Sequence, residues 1–179
     1  MPLTRPRVPA RADGPVGLVA IDLDGTLLRS DKGLSRRVAK AVQQVGEAGG
    51  RVVLASARPP RTCREIYEHL GLDTHQINYN GALIHHTPAN LALYHRPLSP
   101  RLVRRIVRLA RAVEPDVAVS LEVKDQWHTD RVDPELLTES ARHENPHRIA
   151  PLDELIDGPI TKLMLLAPPE RLRQVHEAV

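Results

Sequence analysis

The fold of this chain is decided by ten residues, Val19-Ala20-Ile21-Asp22-Leu23-Asp24-Gly25-Thr26-Leu27-Leu28. An apolar run ends in two aspartates spaced two residues apart, and Gly-Thr follows them. In a β-strand, residues i and i+2 point to the same side, so Asp22 and Asp24 would share one small space at the strand end. Two carboxylates that close repel each other unless a cation or a proton separates them. The stretch therefore predicts a divalent metal site with a spare nucleophile.

The sequence after this stretch alternates between strand and helix patterns. We predict further strands at 52–55 and 76–79, and helices at 35–48 and 59–70. The strand patterns are short continuous apolar runs, which are typical of strands buried on both faces. This order predicts an α/β fold with a Rossmann-like parallel sheet, whose ligands bind at the carboxyl ends of the strands. Ser56 follows the second strand and would lie at the same rim as the two aspartates.

The pattern changes after the turn signal Asn80-Gly81. We predict a hairpin at 82–86 and 91–95, a helix at 100–113, strands at 117–123, 126–129 and 160–167, and helices at 134–142 and 168–179. This mixture predicts an α+β insert after the third strand, and we place the boundary near residue 84.

Composition and charge are those of an ordinary soluble protein, with 179 residues, 41% hydrophobic and 26% charged. No apolar run approaches the length of a membrane span, and residues 1–15 lack the apolar segment of a secretory signal. The single cysteine, Cys63, excludes an internal disulfide and fits a reducing compartment. We therefore predict a cytoplasmic protein without a membrane partner.

The residues at the strand ends have the chemistry that phosphoryl transfer needs. One ionised carboxylate can attack phosphorus, and a second can protonate the leaving oxygen and then activate water. A bound Mg²⁺ would neutralise the site and bridge the phosphate oxygens. Gly25 allows the backbone to approach a phosphate closely, and Ser56 can donate a hydrogen bond to a phosphoryl oxygen.

These residues resemble the haloacid dehalogenase superfamily of phosphohydrolases, in the stretches IDLDGTLL at 21–28 and VVLASAR at 52–58. The stretch NYNGALI at 78–84, with the insert after it, resembles the Cof-type branch, whose cap lies between the second and third motifs. The resemblance implies an enzyme that hydrolyses a small phosphorylated metabolite, of the sugar phosphate class, through an aspartyl phosphate. It divides the chain into a flexible tail at 1–15, the first part of the core at 16–84, and a C2-type α+β cap at 85–179.

The resemblance also implies a role for each residue of the site. Asp22 would be the nucleophile and a metal ligand, and Asp24 the general acid/base, which also binds Mg²⁺ through its backbone carbonyl. Phosphate binding is implied for Leu23, Gly25, Thr26, Ser56 and Ala57. Ala57 stands where this branch usually carries Gly. Arg58 and Asn80 would line the substrate pocket.

The resemblance covers only the first two-thirds of the family pattern. The lysine and the Gly-Asp-rich loop that follow the cap in this family do not occur here, and Lys162 lies in a predicted cap strand. The alternative is therefore a catalytically incomplete fragment or a binding protein of the same fold. Its first strand would leave an exposed sheet edge, through which we predict self-association.

Nucleic-acid binding is a further alternative, because a predicted helix carries many arginines. On one face lie Arg101, Arg104, Arg105, Arg108 and Arg111, and on the other Leu102, Ile106, Leu109 and Val113. Aromatic residues make up only 2% of the chain, so stacking partners for bases are scarce. The pattern favours the solvated outer face of a cap helix over a nucleic-acid stripe.

Overall fold

The computed structural model describes residues 16–138 and 140–179, so the flexible tail predicted at 1–15 lies outside the described residues. The first part of the chain forms β1 (Leu18–Asp22), α1 (Arg36–Glu47), β2 (Arg51–Ala55), α2 (Pro60–His69) and β3 (Gln76–Asn78). β1 pairs with β2 in parallel, and β2 pairs with β3 in parallel. These pairings confirm the predicted α/β core with a parallel sheet.

Local sequence signals set the ends of the two helices. The side chain of Ser35 accepts a hydrogen bond from the backbone N–H of Val38 and caps α1. Pro60 is the first residue of α2, where its fixed φ suits a helix and its missing N–H costs nothing. The starts of both helices are therefore set by local residues, Ser35 just before α1 and Pro60 at the first position of α2.

One apolar cluster joins the two helices to the sheet. Val52 and Leu54 on β2 are almost fully buried, and they pack in the same cluster as α1 and α2. The cluster also contains Leu23, Leu27 and Leu28, each at most 4% exposed, from the segment that follows β1. Burial of each such leucine contributes about 1.5–3 kcal/mol, so this segment is held firmly against the core.

A hairpin extends the first sheet. β4 (Leu83–His86) pairs antiparallel with β3, and β5 (Leu91–His95) pairs antiparallel with β4. The sheet thus has five strands in the order β1-β2-β3-β4-β5. The boundary predicted near residue 84 falls inside β4, and the hairpin pairs with the core. We therefore propose that the cap begins at the helix after residue 99.

The rest of the chain forms a second, α+β unit, which we call the cap. Its elements are α3 (Pro100–Val113), β6 (Ala118–Val123), β7 (Gln126–Thr129), β8 (Arg148–Ile149), α4 (Leu152–Leu155), β9 (Lys162–Leu166) and α5 (Pro169–Ala178), with a short 3₁₀ turn at Ser140–His143. The four strands lie in the order β8-β7-β6-β9. Among the described residues, no helix has the length and apolar character that a membrane span requires.

Two local predictions for the cap are wrong. The helix predicted at 134–142 is a turn at 134–136 followed by the 3₁₀ turn, because Asp133 accepts a hydrogen bond from the backbone N–H of Glu135 and offers the chain an alternative to the helix. The apolar face predicted for α3 consists of Leu102, Ile106, Leu109 and Val113. The side that packs in the core is formed instead by Val103, Val107 and Ala110. Both rows of α3 are apolar, and packing against the cap sheet selects one of them.

Candidate active site

The segment after β1 forms one wide turn that presents both aspartates at the strand end. The backbone N–H of Leu27 donates to the carbonyl of Asp22 at 3.1 Å, and that of Leu28 donates to the carbonyl of Leu23 at 2.8 Å. Gly25 adopts φ +75° inside this turn, a backbone conformation that is unfavourable for residues other than glycine. The leucines are buried and the carboxylates of Asp22 and Asp24 lie in exposed residues.

The loop after β2 brings Ser56 to the neighbouring strand end. Ser56 is 6% exposed, and its backbone N–H donates to the carbonyl of Ile77 on β3 at 2.8 Å. Its side-chain oxygen accepts a hydrogen bond from the backbone N–H of Arg58 at 3.1 Å. Because that oxygen is the acceptor, the hydroxyl hydrogen of Ser56 remains available for donation. Ala57, between them, is exposed.

Asp24 and Arg58 connect the two strand ends directly. Arg58 donates from Nε to one carboxylate oxygen of Asp24 at 2.9 Å and from a terminal nitrogen to the other at 2.6 Å. Lys32 donates to the same carboxylate at 2.9 Å. Hydrogen bonds from Arg58, aided by Lys32, lower the pKa of Asp24 to about 2, against the upward effect of burial. The sequence-predicted acidic residue and the Ser56–Arg58 loop therefore meet at one rim.

The third strand end supports the same loop. The side-chain amide of Asn78 donates to the carbonyl of Arg58 at 3.1 Å, and the backbone N–H of Asn80 donates to the carbonyl of Ser56 at 3.2 Å. Asn78 is fully buried, whereas Asn80 is exposed and adopts φ +55°. Asn80 thus lies beside the predicted pocket residues, and Asn78 holds the backbone beneath Arg58.

Sequence reasoning missed two residues of this site, Lys32 and Asn78. Lys32 lies in the loop that follows the two aspartates, and its φ of +61° belongs to a tight polar turn at Asp31-Lys32-Gly33. This turn was the sequence signal that could have identified Lys32, because a turn there brings the chain back toward the end of β1. Asn78 is the first residue of the stretch NYNGALI, but no sequence pattern indicates that its side chain binds a backbone carbonyl of another loop.

The donor set at the rim fits magnesium by its chemistry. Asp22 and Asp24 supply carboxylate and carbonyl oxygens, which are the hard ligands that Mg²⁺ prefers. Magnesium usually takes one or two protein carboxylates and completes its shell with water and phosphate oxygens. Across residues 16–138 and 140–179, no group of three or more His, Cys, Asp or Glu side chains is arranged to hold a metal ion. Asp22 and Asp24 are the residues of this rim that could hold such an ion.

The sequence of this chain is similar to those of known hydrolases and phosphatases. The profile of haloacid dehalogenase-like hydrolases matches residues 19–179. The 5-amino-6-(5-phospho-D-ribitylamino)uracil phosphatase of Bacillus subtilis is 33% identical over 96 residues, which are 53% of this chain and 36% of that protein. The HMP-PP phosphatase of Yersinia pestis is 32% identical over 120 residues, 67% of this chain and 43% of that protein. The chain thus spans less than half the length of either curated relative.

A solved structure supports the fold. A haloacid dehalogenase-like hydrolase from Bacteroides thetaiotaomicron superposes with a TM-score of 0.75 at 23% identity, over 91% of this chain and 62% of that one. At this identity the likeness concerns the fold alone. It confirms the predicted Rossmann-like core with an inserted cap.

Proposed function

Because the chain belongs to the family of haloacid dehalogenase-like hydrolases, we propose that it acts as a phosphomonoester hydrolase on a small phosphorylated metabolite, of the sugar phosphate class. The observation that carries this proposal is the bidentate contact between Arg58 and Asp24, which joins one of the two aspartates to the loop that carries Ser56. The two phosphatases named above act on phosphorylated small molecules, and their similarity supports the substrate class.

Asp22 is the nucleophile in this proposal. One of its oxygens attacks phosphorus, and the bond from phosphorus to the leaving oxygen breaks. Asp24 takes up a proton once the substrate has drawn Arg58 and Lys32 away from it, and it gives that proton to the leaving oxygen. Water then attacks the phosphorus of the aspartyl phosphate while Asp24 takes a proton from it. Phosphate leaves and Asp22 is again an ionised carboxylate. Asp24 holds the proton taken from water and releases it when Arg58 and Lys32 return to it.

The remaining residues of the rim would hold the phosphoryl group. Ser56 donates its free hydroxyl hydrogen, and the backbone N–H groups of Leu23, Gly25, Thr26 and Ala57 supply further donors. Lys32 and Arg58 both bind the carboxylate of Asp24 in the free protein. A phosphate dianion carries more charge than that carboxylate, so it attracts both cations toward the substrate and leaves Asp24 available for proton transfer. Asn80, exposed beside the loop, would contact the rest of the substrate.

Magnesium would be held by the Asp22 carboxylate and by Asp24 through its backbone carbonyl. When bound, it supplies the positive charge that lets an anionic nucleophile approach a phosphate. The protein residues position the substrate and move the proton.

The test is Mg²⁺-dependent release of phosphate from 4-nitrophenyl phosphate. We expect Asp22→Asn to lower kcat by at least about a thousandfold, since the amide is a poor nucleophile. The matched control is Asp116→Asn, which changes a carboxylate of the cap that is 89% exposed. Equal rates for the wild type and Asp22→Asn would refute the assignment. Binding of phosphate by the wild type without turnover would favour the alternative, a binding protein.

A further inference from the structure

Arg61, in the first turn of α2, reaches out of the core and into the cap. Two terminal nitrogens of its guanidinium donate to the two carboxylate oxygens of Glu122 on β6, at 2.9 and 2.8 Å. Its Nε donates to Glu144, and its backbone N–H donates to Asp125 at 2.8 Å. We call these four residues the clamp. Through it, one arginine of the core contacts three separate carboxylates of the cap.

The turn after β3 joins the cap at the same place. The hydroxyl of Tyr79 donates to the backbone carbonyl of Lys124 at 2.6 Å and lies 3.1 Å from the carboxylate of Glu122. Tyr79 is 5% exposed. The β6–β7 turn of the cap is therefore fastened to two core segments, and both of these segments also carry residues of the candidate active site.

Burial and charge make the clamp sensitive to its geometry. The side chains of Arg61 and Glu122 are 16% and 6% exposed, so both charges are largely removed from water. Removal of one partner leaves the other as a buried charge without compensation, which is strongly unfavourable. A bidentate pair between guanidinium and carboxylate also has a fixed planar geometry. The clamp is thus stable for one arrangement of cap and core.

The chain between Ser56 and Arg61 links this arrangement to the chemistry. Ser56 and Arg58 face the rim in the loop before α2, and Arg61, three residues after Arg58, lies in the first turn of that helix. We propose that Arg61 is a positioning residue: it fixes the cap relative to the Ser56–Arg58 loop and so sets where the substrate lies above Asp22. The effect of Arg61 on catalysis rests on the proposed function. Its effect on the position of the cap relative to the core does not.

A charge exchange tests this proposal. Arg61→Glu places four carboxylates together, and the double variant Arg61→Glu/Glu122→Arg restores one opposite-charge pair across the same interface. The first measurement is the emission of the single tryptophan, Trp127, which is 3% exposed and lines with Arg61 and Glu122 a cavity of about 20 Å³. The second is kcat/KM for 4-nitrophenyl phosphate with Mg²⁺.

We expect Arg61→Glu to shift the emission to longer wavelength and to lower kcat/KM by roughly 10- to 100-fold, with the double variant recovering much of both. The control is Arg111→Gln, which removes a half-buried ion pair with Asp130 inside the cap and should leave kcat/KM unchanged. If Arg61→Glu fails to fold, as judged by far-UV circular dichroism, the same comparison is made with Arg61→Gln and Glu122→Gln.

The outcomes separate the two proposals. A shifted emission that the double variant restores, with an unchanged rate, overturns the positioning role and leaves the phosphatase proposal intact. Unchanged emission in Arg61→Glu, or a double variant no better than the single one, overturns the clamp. Only the phosphatase proposal requires that Asp22→Asn lose activity. If that proposal fails, the result of the emission measurement on the clamp variants still stands.

Discussion

Gly25 permits a prediction whose magnitude follows from the structure. Its φ is +75°, and a Cβ built on it would meet no atom within 4 Å. The cost of Gly25→Ala is therefore that of the left-handed backbone, about 1–2 kcal/mol. Alanine also lowers the conformational entropy of the unfolded chain, which returns about 0.4–1 kcal/mol. We expect a net loss of about 1 kcal/mol in the free energy of unfolding.

The chain offers a matched control for this prediction in Gly49, which follows the C-cap residue of α1. Its φ is +80°, and its Cβ direction is equally open. Urea unfolding followed by far-UV circular dichroism should give nearly equal losses for Gly25→Ala and Gly49→Ala. Only Gly25→Ala should raise KM for 4-nitrophenyl phosphate, by about tenfold, because its methyl group enters the open space above the strand end. A loss above about 3 kcal/mol for Gly25→Ala alone would refute the reasoning, since it would reveal a steric contact that the backbone geometry excludes.

Two further predictions concern a buried thiol and the edge of the sheet. Burial raises the pKa of Cys63 to about 11, so at pH 8 about one thiol in a thousand is ionised. We therefore expect iodoacetamide to react slowly with the native protein but rapidly with the protein unfolded in urea at the same pH. Equal rates would show that the thiol is accessible in the native protein. In the described part of the chain, β1 is paired with β2 alone, and Leu18 on this strand is 56% exposed. We therefore expect the protein to self-associate, as measured by light scattering, and Leu18→Lys to reduce this association. A monodisperse wild-type monomer would contradict this.

The sequence was sufficient wherever a local pattern determines the structure. The apolar runs before Asp22 and Ser56 become adjacent parallel strands, and Ser35 and Pro60 set the starts of their helices. Strand ends at one edge of a parallel sheet meet by geometry, so the acidic pair and the Ser56 loop could be placed together. The 82–86 and 91–95 hairpin was also predicted, because its turn and its strands are close in sequence.

The sequence was insufficient where distant contacts decide. β8 has two residues and α4 has four, too few for a periodic pattern, and β8 exists because it pairs with β7. The inner face of α3 could not be chosen, because Leu102 and Val103 begin rows of similar apolar character. Lys32 and Arg61 escaped notice for a related reason. A charged residue near a helix start or in a turn is usually solvated, and only the folded chain shows which carboxylates it reaches.

The clamp also has a consequence for the order of folding. Arg61 is separated by 61 residues from Glu122 and by 83 residues from Glu144, whereas the hairpin and the parallel strands join segments that are much closer along the chain. Contacts across long loops generally form late, because the loop entropy must be lost first. We therefore expect the clamp to be absent from the folding transition state. Its variants should accelerate unfolding and leave the folding rate nearly unchanged, so that the clamp governs how long a folded molecule survives.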